Sequence, residues 1–281
     1  DQRNLTTWSA IFHALSNVAN PSGSYDHFIV DEAQDISVGE LRFLARIAPL
    51  HENGLFFAGD LGQRIFRQPF SWKALGVDVR GRSHTLKINY RTSHQIRQQA
   101  DRLLPRELAD IDENQESRKA TISLFNSLPP QILIVDDEQD ERLMISDWIK
   151  QQLGEGVAPQ EIGVFVRSEE QLSRAKASIE AADQDAFKLT DRFDDEPSGI
   201  SFGTMHLAKG LEFRSVAVMA CDEDVLPHQQ RLEQVTDASD LEEVYDTERH
   251  LLYVACTRAR ENLLVTGVDP CSEFLEDLEI R

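Results

Sequence analysis

The strongest constraint on this chain is a unit that recurs along it: a short, strongly apolar run ends abruptly in polar residues, and a segment with helical spacing follows. HFIV (27–30) ends in Asp31 and Glu32 before ISVGELRFLARIAPL (36–50), and GLFFAGD (54–60) follows. The pattern restarts with QILIVDD (131–137), ERLMISDWIKQQL (141–153), EIGVFVR (161–167) and EEQLSRAKASIEAA (169–182). GISFGTMHLAKGLEF (199–213) reads as a strand running into a loop, RSVAVMACDE (214–223) as a strand, 240–260 as helical, and ENLLVTG (261–267) as the closing strand. Strands this short and apolar, alternating with helices, imply a parallel sheet covered on both faces. LTTWSAIFHALSNVA (5–19) predicts an opening helix that ends at NPSGS (20–24), and a further helix over 93–104 stops at Pro105. Two successive series suggest two α/β lobes joined near 90–105. DASDLEEVYDTE (237–248) reads as an exposed acidic loop leading into a helix.

With 281 residues the chain can bury a sizeable core. No apolar run approaches the roughly 18–20 residues of a membrane helix, and no signal-peptide pattern opens the chain. The three cysteines make neither a disulfide framework nor a metal spacing, so a reducing compartment is expected. A net charge of −20 argues against nucleic-acid binding through bulk electrostatics. Fields act over about 8–10 Å, however, so local distribution matters more than the sum. Asp60–Arg106 holds ten Lys/Arg against three Asp/Glu, with Phe66, Phe70, Trp72 and Tyr90 among them. Glu107–Leu143 and Asp222–Glu248 each hold ten acids, and both read as solvated faces.

ILIVDDEQDER (132–142) resembles the opening of a receiver domain, but the next strand, GVFVR, ends in Arg167 and Ser168 where that fold needs an acid. Other strand ends carry more. Open α/β sheets bind ligands beyond the carboxyl ends of their strands, where Asp31 and Glu32 stand. An Asp there can hold the hydration shell of Mg²⁺, and a neighbouring Glu can orient and deprotonate a water. Gln63, in AGDLGQRIF (58–66), supplies an amide able to bond both water and phosphate oxygens. INYRTSHQI (88–96) places Tyr90 beside Arg91, and LLYVACTRARENL (251–263) carries Arg258 and Arg260. GTMHLAKGLEF (203–213) offers Thr204, His206, Lys209 and the flexible Gly210, a mixture suited to phosphodiester oxygens, with Glu212 following. Taken singly, each piece also has a plain structural reading: a polar strand end, a turn, a surface ion pair, a satisfied core histidine.

In order, DEAQD, GDLGQRIF, INYRTS, TMHLAKGLEF and LLYVACTRAR resemble motifs II to VI of UvrD/Rep-like superfamily 1 DNA helicases, over about residues 25–267. The resemblance implies a RecA-like P-loop NTPase fold of parallel sheets flanked by helices. Residues 1–90 would be the C-terminal part of a first motor domain and 91–281 a complete second one. It implies ATP and Mg²⁺ as cofactors, and single-stranded DNA, or a duplex with a single-stranded tail, as partner. Movement would run 3′ to 5′, in the cytoplasm or at a nucleoid, with a nuclease or repair protein as a conceivable companion. Asp31 would organise Mg²⁺, Glu32 would activate the water, and Gln63, Arg91 and Arg258 would reach the γ-phosphate. Tyr90, Gly210 and Glu212 would bind the nucleotide. Phe66 and Trp72 would stack on bases, while Thr204, His206 and Lys209 would touch the DNA backbone.

Three departures stand out. RQPF (67–70) lengthens the spacing before Trp72, the large insertion between motifs IV and V looks absent, and GxxxxGK[ST] occurs nowhere in these residues. The chain is therefore expected to be a piece of a longer protein and to hydrolyse little ATP alone. The competing expectation is a non-catalytic nucleic-acid-binding or regulatory module that keeps the fold, or the helicase subunit of a nuclease-linked repair or defence system.

Overall fold

The structure is a computed structural model that describes residues 6–18, 25–48, 53–60, 63, 71–77, 79, 81–105, 107–109, 115–117, 121–190 and 198–279. The chain groups into two compact units, the first formed by 1–85 with 107–117 and the second by 86–106 with 118–281. Phe66, the RQPF stretch, the expected NPSGS helix stop and most of TDRFDDEPSG (190–199) lie outside the described residues.

The first unit contains α1 (Trp8–Val18), β1 (Phe28–Val30), α2 (Val38–Ile47) and β2 (Leu55–Phe57). The second begins with β3 (Ile88–Asn89) and α3 (His94–Ala100); β4 (Glu107–Ala109) and β5 (Gln115–Ser117) then pair antiparallel within the first. Strands β1 and β2 run parallel, with Ile29 opposite Phe56. Ser37 caps α2 by accepting the Glu40 N–H at 3.1 Å, while the Glu40 carboxylate accepts the Ser37 N–H at 2.7 Å, which satisfies two helix-end donors at once. Alternation of period two turns Val30, Leu55 and Phe57 toward the core residues Ile36, Leu41 and Val77. The other face carries Ile29 and Phe56, 77% and 61% exposed, so among the described residues this pair is covered on one face and not on both as expected.

The remainder of the second unit is β6 (Ile122–Ser123), β7 (Gln131–Val135), α4 (Glu138–Gly154), β8 (Ile162–Val166), α5 (Leu172–Glu180), β9 (Ala186–Lys188), β10 (Ile200–Thr204), β11 (Phe213–Val218), α6 (Gln229–Leu232), α7 (Ala238–Cys256), β12 (Ala259–Val268) and α8 (Glu273–Leu278). Six strands form one sheet in the order β7-β12-β11-β8-β10-β9. Every neighbouring pair in it is parallel, and helices flank it, so the fold is α/β as expected. All five residues of β8 are buried, which is why IGVFV lacks alternation. Its core joins Val164, Val166, Ile200 and Phe202 of the strands to Ile145, Ile149, Leu172 and Ile179 of α4 and α5. Each such aliphatic side chain contributes about 1.5–3 kcal/mol of transfer free energy.

Two expectations need correction. Residues 238–248 are helix and not loop: Asp237 accepts the N–H groups of Ser239 and Asp240 at 2.8 and 2.9 Å, which starts α7 at Ala238. The acidic stretches are also not solvated throughout, because Glu141 and Glu248 are completely buried. Glu141 accepts from Arg174 Nε at 2.6 Å, Thr266 Oγ1 at 2.6 Å and the Ala220 N–H at 2.9 Å. Arg174 also reaches Asp222 at 2.6 Å. Strand β9, at the sheet edge, is too short and too polar to be legible in the pattern. Among the described residues no helix is long and apolar enough to cross a membrane.

Candidate functional site

In the first unit, the parallel pairing of β1 and β2 continues past both strands. The Ala58 N–H donates to Val30 O at 2.8 Å, and the Ala33 N–H donates to Ala58 O at 2.8 Å. Asp31–Glu32 and Gly59–Asp60 therefore lie beside each other at the carboxyl ends of two adjacent strands. Both Asp31 and Glu32 are exposed, and Asp31 Oδ1 accepts the Glu32 N–H at 2.9 Å. Glu32 has φ 50° and ψ 40°, a left-handed conformation that costs a residue other than glycine about 1–2 kcal/mol. Such outliers persist where surrounding contacts hold them, and they gather at functional sites. Here the buried Gln34 donates from Nε2 to Glu32 Oε2. Its Oε1 accepts the Asp60 N–H at 3.1 Å, and Asp60 Oδ2 accepts from Gln63 Nε2 at 2.8 Å.

The residue types at this tip fit Mg²⁺, since one exposed Asp joined by phosphate oxygens and waters is how that ion is usually held. Among the described residues no group of three or more His, Cys, Asp or Glu could hold a metal without such help. Trp72 packs edge-on against Phe57, ring centroids 4.9 Å apart, and lies against the core of this unit.

In the second unit, Asn89 Oδ1 accepts the N–H groups of Arg91 and Thr92 at 2.8 and 3.1 Å, which folds the chain sharply after β3. Tyr90 is left 69% exposed, an aromatic surface suited to stacking. Arg91 Nε lies 2.9 Å from Glu212 Oε2, and Arg260 Nε lies 3.6 Å from Glu212 Oε1. The loop after β10 thus meets the turn after β3, bringing together residues from three separate motifs. Gly210, at φ 80°, supplies the turn just before Glu212, in a conformation glycine takes at no steric cost. Arg258 is turned inward and 1% exposed. It donates to Val254 O at 3.0 Å, Leu211 O at 3.4 Å and Thr257 Oγ1 at 3.3 Å. The structure therefore places it behind the Gly210–Glu212 loop.

Thr204 ends β10, and its carbonyl accepts the Leu207 N–H at 2.9 Å, so His206 and Lys209 sit in the turn that follows. The His206 imidazole is pushed down to about 4, first by burial and then by the Arg167 charge, with Glu248 opposing. It is neutral at pH 7. Arg167, at the tip of β8, donates to Glu248 at 2.5 Å through Nε and 2.6 Å through Nη2. Arg231 adds a third bond to that carboxylate at 3.0 Å. Burial raises the Glu248 carboxyl, but the Arg167 and Arg231 bonds and charges outweigh it and hold it below its ordinary value. Sequence reasoning assigned no role to Gln34, Gly59 or Glu248; the signal for the first was an amide two residues behind an acid pair.

Residues 176–269 match the family model of the UvrD-like helicase C-terminal domain. A protein named "Probable DNA helicase" from Mycoplasma pneumoniae is 27% identical over 256 residues, covering 87% of this chain and 44% of its own length. The ATP-dependent DNA helicase PcrA of Staphylococcus epidermidis is 42% identical over 73 residues, 26% of this chain and 9% of PcrA. The chain thus spans less than half the length of these relatives. A solved C-terminal domain of a possible DNA helicase from Lactobacillus aligns with 68% of this chain and 94% of its own at 18% identity and a TM-score of 0.47. Residues 176–269 of this chain are thus similar to the UvrD-like helicase C-terminal domain, the family that the ordered motifs resemble.

Proposed function

We propose that the protein carrying this chain is an ATP-dependent DNA helicase or translocase of UvrD/Rep type, moving 3′ to 5′ on single-stranded DNA. The first unit is then the C-terminal part of one RecA-like motor domain, and the second unit is the other. The observation that carries the reading is the convergence of acids and amide at the paired tips of β1 and β2, with Asp31, Glu32, Asp60 and Gln63 joined through Gln34 in one hydrogen-bonded group.

Bound ATP·Mg²⁺ supplies the phosphoanhydride to be cleaved and the cation that neutralises its charge. Asp31 would hold the cation's shell, and the Glu32 carboxylate would take the proton of the attacking water. Gln63 orients that water through its amide. Arg91 supplies positive charge where negative charge builds, an effect worth on the order of 10³–10⁵ in rate for such arginines. Glu212 sets the Arg91 guanidinium in place and reaches the nucleotide sugar, with Tyr90 stacking on the base. Arg258 acts from behind, bracing the Leu211 carbonyl. Thr204, neutral His206 and Lys209 bind the phosphodiester backbone.

The test is DNA-stimulated ATP hydrolysis by the full-length protein and its Glu32→Gln variant. Turnover is expected to fall at least a hundredfold, with DNA binding retained. Turnover unaffected by Glu32→Gln would overturn the reading and leave a nucleic-acid-binding module, the alternative favoured by the inward-turned Arg258.

A further inference from the structure

We infer that Gln34 is a positioning residue that fixes the Glu32 carboxylate and ties it to the β2 tip, so that the water-activating acid and the phosphate-facing Gln63 are set as one unit. The inference rests on the ATPase reading above and adds to it a residue that no motif role had assigned.

Gln34 is 6% exposed in a turn of only three residues, where an apolar side chain would satisfy packing alone. Instead its amide is used at both ends. Nε2 donates to Glu32 Oε2, and Oε1 accepts the Asp60 N–H at 3.1 Å. A neutral amide makes both bonds because it is donor and acceptor together, whereas an isosteric carboxylate is acceptor only. From Asp60 the chain of bonds passes through Oδ2 to Gln63 Nε2 at 2.8 Å.

Glu32 occupies the left-handed region, so its side-chain direction is not the one an ordinary strand end would give, and the Gln34 amide bears on that carboxylate. The space around the amide is shaped to match. A Cβ added at Gly59 would stand 2.4 Å from Gln34 Oε1 and 3.2 Å from the Ala33 and Gln34 backbone nitrogens. Glycine at 59 is thus what lets the amide reach the Asp60 N–H. Three features of separate origin, a backbone outlier, a two-ended amide and a glycine that makes room for it, converge on one carboxylate.

The experiment measures DNA-stimulated ATP hydrolysis by the full-length protein, wild type and variants, with kcat and KM for ATP separated and thermal unfolding recorded alongside. Loss of a group that orients a catalytic side chain lowers activity about tenfold to a hundredfold. Gln34→Ala is expected to lower kcat by that factor, with KM for ATP within about twofold and the melting curve kept. Gly59→Ala, which crowds the amide from the other side, is expected to lower kcat similarly. In the Gln34→Ala background, Gly59→Ala is expected to cost less than it does alone, because the 2.4 Å clash with Oε1 is gone and only the 3.2 Å approaches to the two backbone nitrogens remain; residues acting through one contact are non-additive in this way.

If Glu32→Gln abolishes turnover while Gln34→Ala keeps kcat within twofold of wild type, the inference fails and the ATPase reading stands. If the two losses multiply in the double variant, Gly59 and Gln34 act separately and the coupling is refuted. If Glu32→Gln itself has no effect, the parent reading has failed instead.

Discussion

Replacing Glu248 by glutamine keeps the side chain's shape and removes one charge from the interior of the second unit. The carboxylate is fully buried, and it receives two bonds from Arg167, 5% exposed, and one from Arg231. A glutamine amide can accept from only one side, so one guanidinium N–H would face another donor, and Arg167 would lose its counter-charge. Breaking a buried pair by changing one partner costs about 3–5 kcal/mol, against a total stability of about 5–15 kcal/mol for a typical domain. For a unit of this size each kcal/mol moves the midpoint about 2–4 °C, so Tm should fall by about 6–20 °C. Differential scanning calorimetry of this chain checks it.

A pH arm makes the assignment specific. The folded Glu248 carboxyl lies below its ordinary value, so its contribution is complete above the unfolded carboxylate value of about 4.3 and is lost as pH falls through the lower folded one. The variant lacks that contribution and should lose less stability than wild type between about pH 5 and pH 2. Replacing the pair together, as Arg167→Met with Glu248→Leu, should recover much of the loss, since no charge is then left in the interior and the remaining partner, Arg231, is 34% exposed and can turn to water. A Glu248→Gln midpoint within 2 °C of wild type, with an unchanged acid limb, would refute the reasoning.

Other outcomes follow from the same geometry. Cys256 is buried and its thiol is pushed up to about 12, and burial drives Cys221 well above its ordinary value, so neither should react with a disulfide reagent at pH 8 until the chain unfolds. Cys271, only partly buried, should account for any native-state labelling. Glu212→Gln releases Arg91 and Arg260 from a surface pairing, so unfolding free energy should change by no more than about 1 kcal/mol, while KM for ATP in the full-length protein rises. Lys209→Ala should lower the slope of log affinity against log salt on a single-stranded oligonucleotide by about 0.7, read by fluorescence anisotropy. His206→Gln should leave that slope unchanged at pH 7.5, because the imidazole it replaces is uncharged there.

The strands and helices that carry the candidate site were legible in the residues because burial on both faces forces continuous apolar runs, as in IGVFV, and because strand ends place polar residues at the ligand-binding edge. Asp31, Glu32, Tyr90 and Thr204 were expected from that rule and the order of motifs; the structure puts Asp31 directly after β1 and Thr204 at the end of β10. The same reasoning failed where chemistry depends on long-range partners. Glu141 and Glu248 sit in acidic stretches that look solvated, and only the fold reveals that Arg174 and Arg167, distant in sequence, neutralise them in the interior. Asp237 turned an expected loop into the start of a long helix through two local hydrogen bonds that composition alone does not show.

What the sequence by itself determined is the alternation of parallel strands and helices and the chemical inventory at the strand tips, since both follow from local pattern and residue type. Tertiary structure alone decided which of those groups meet. It set Arg91 against Glu212, turned Arg258 inward, and joined Glu32 through Gln34 to Asp60. The physical reason is that hydrogen bonds and ion pairs form between side chains brought within about 3 Å by strand register, and register is a property of the packed sheet.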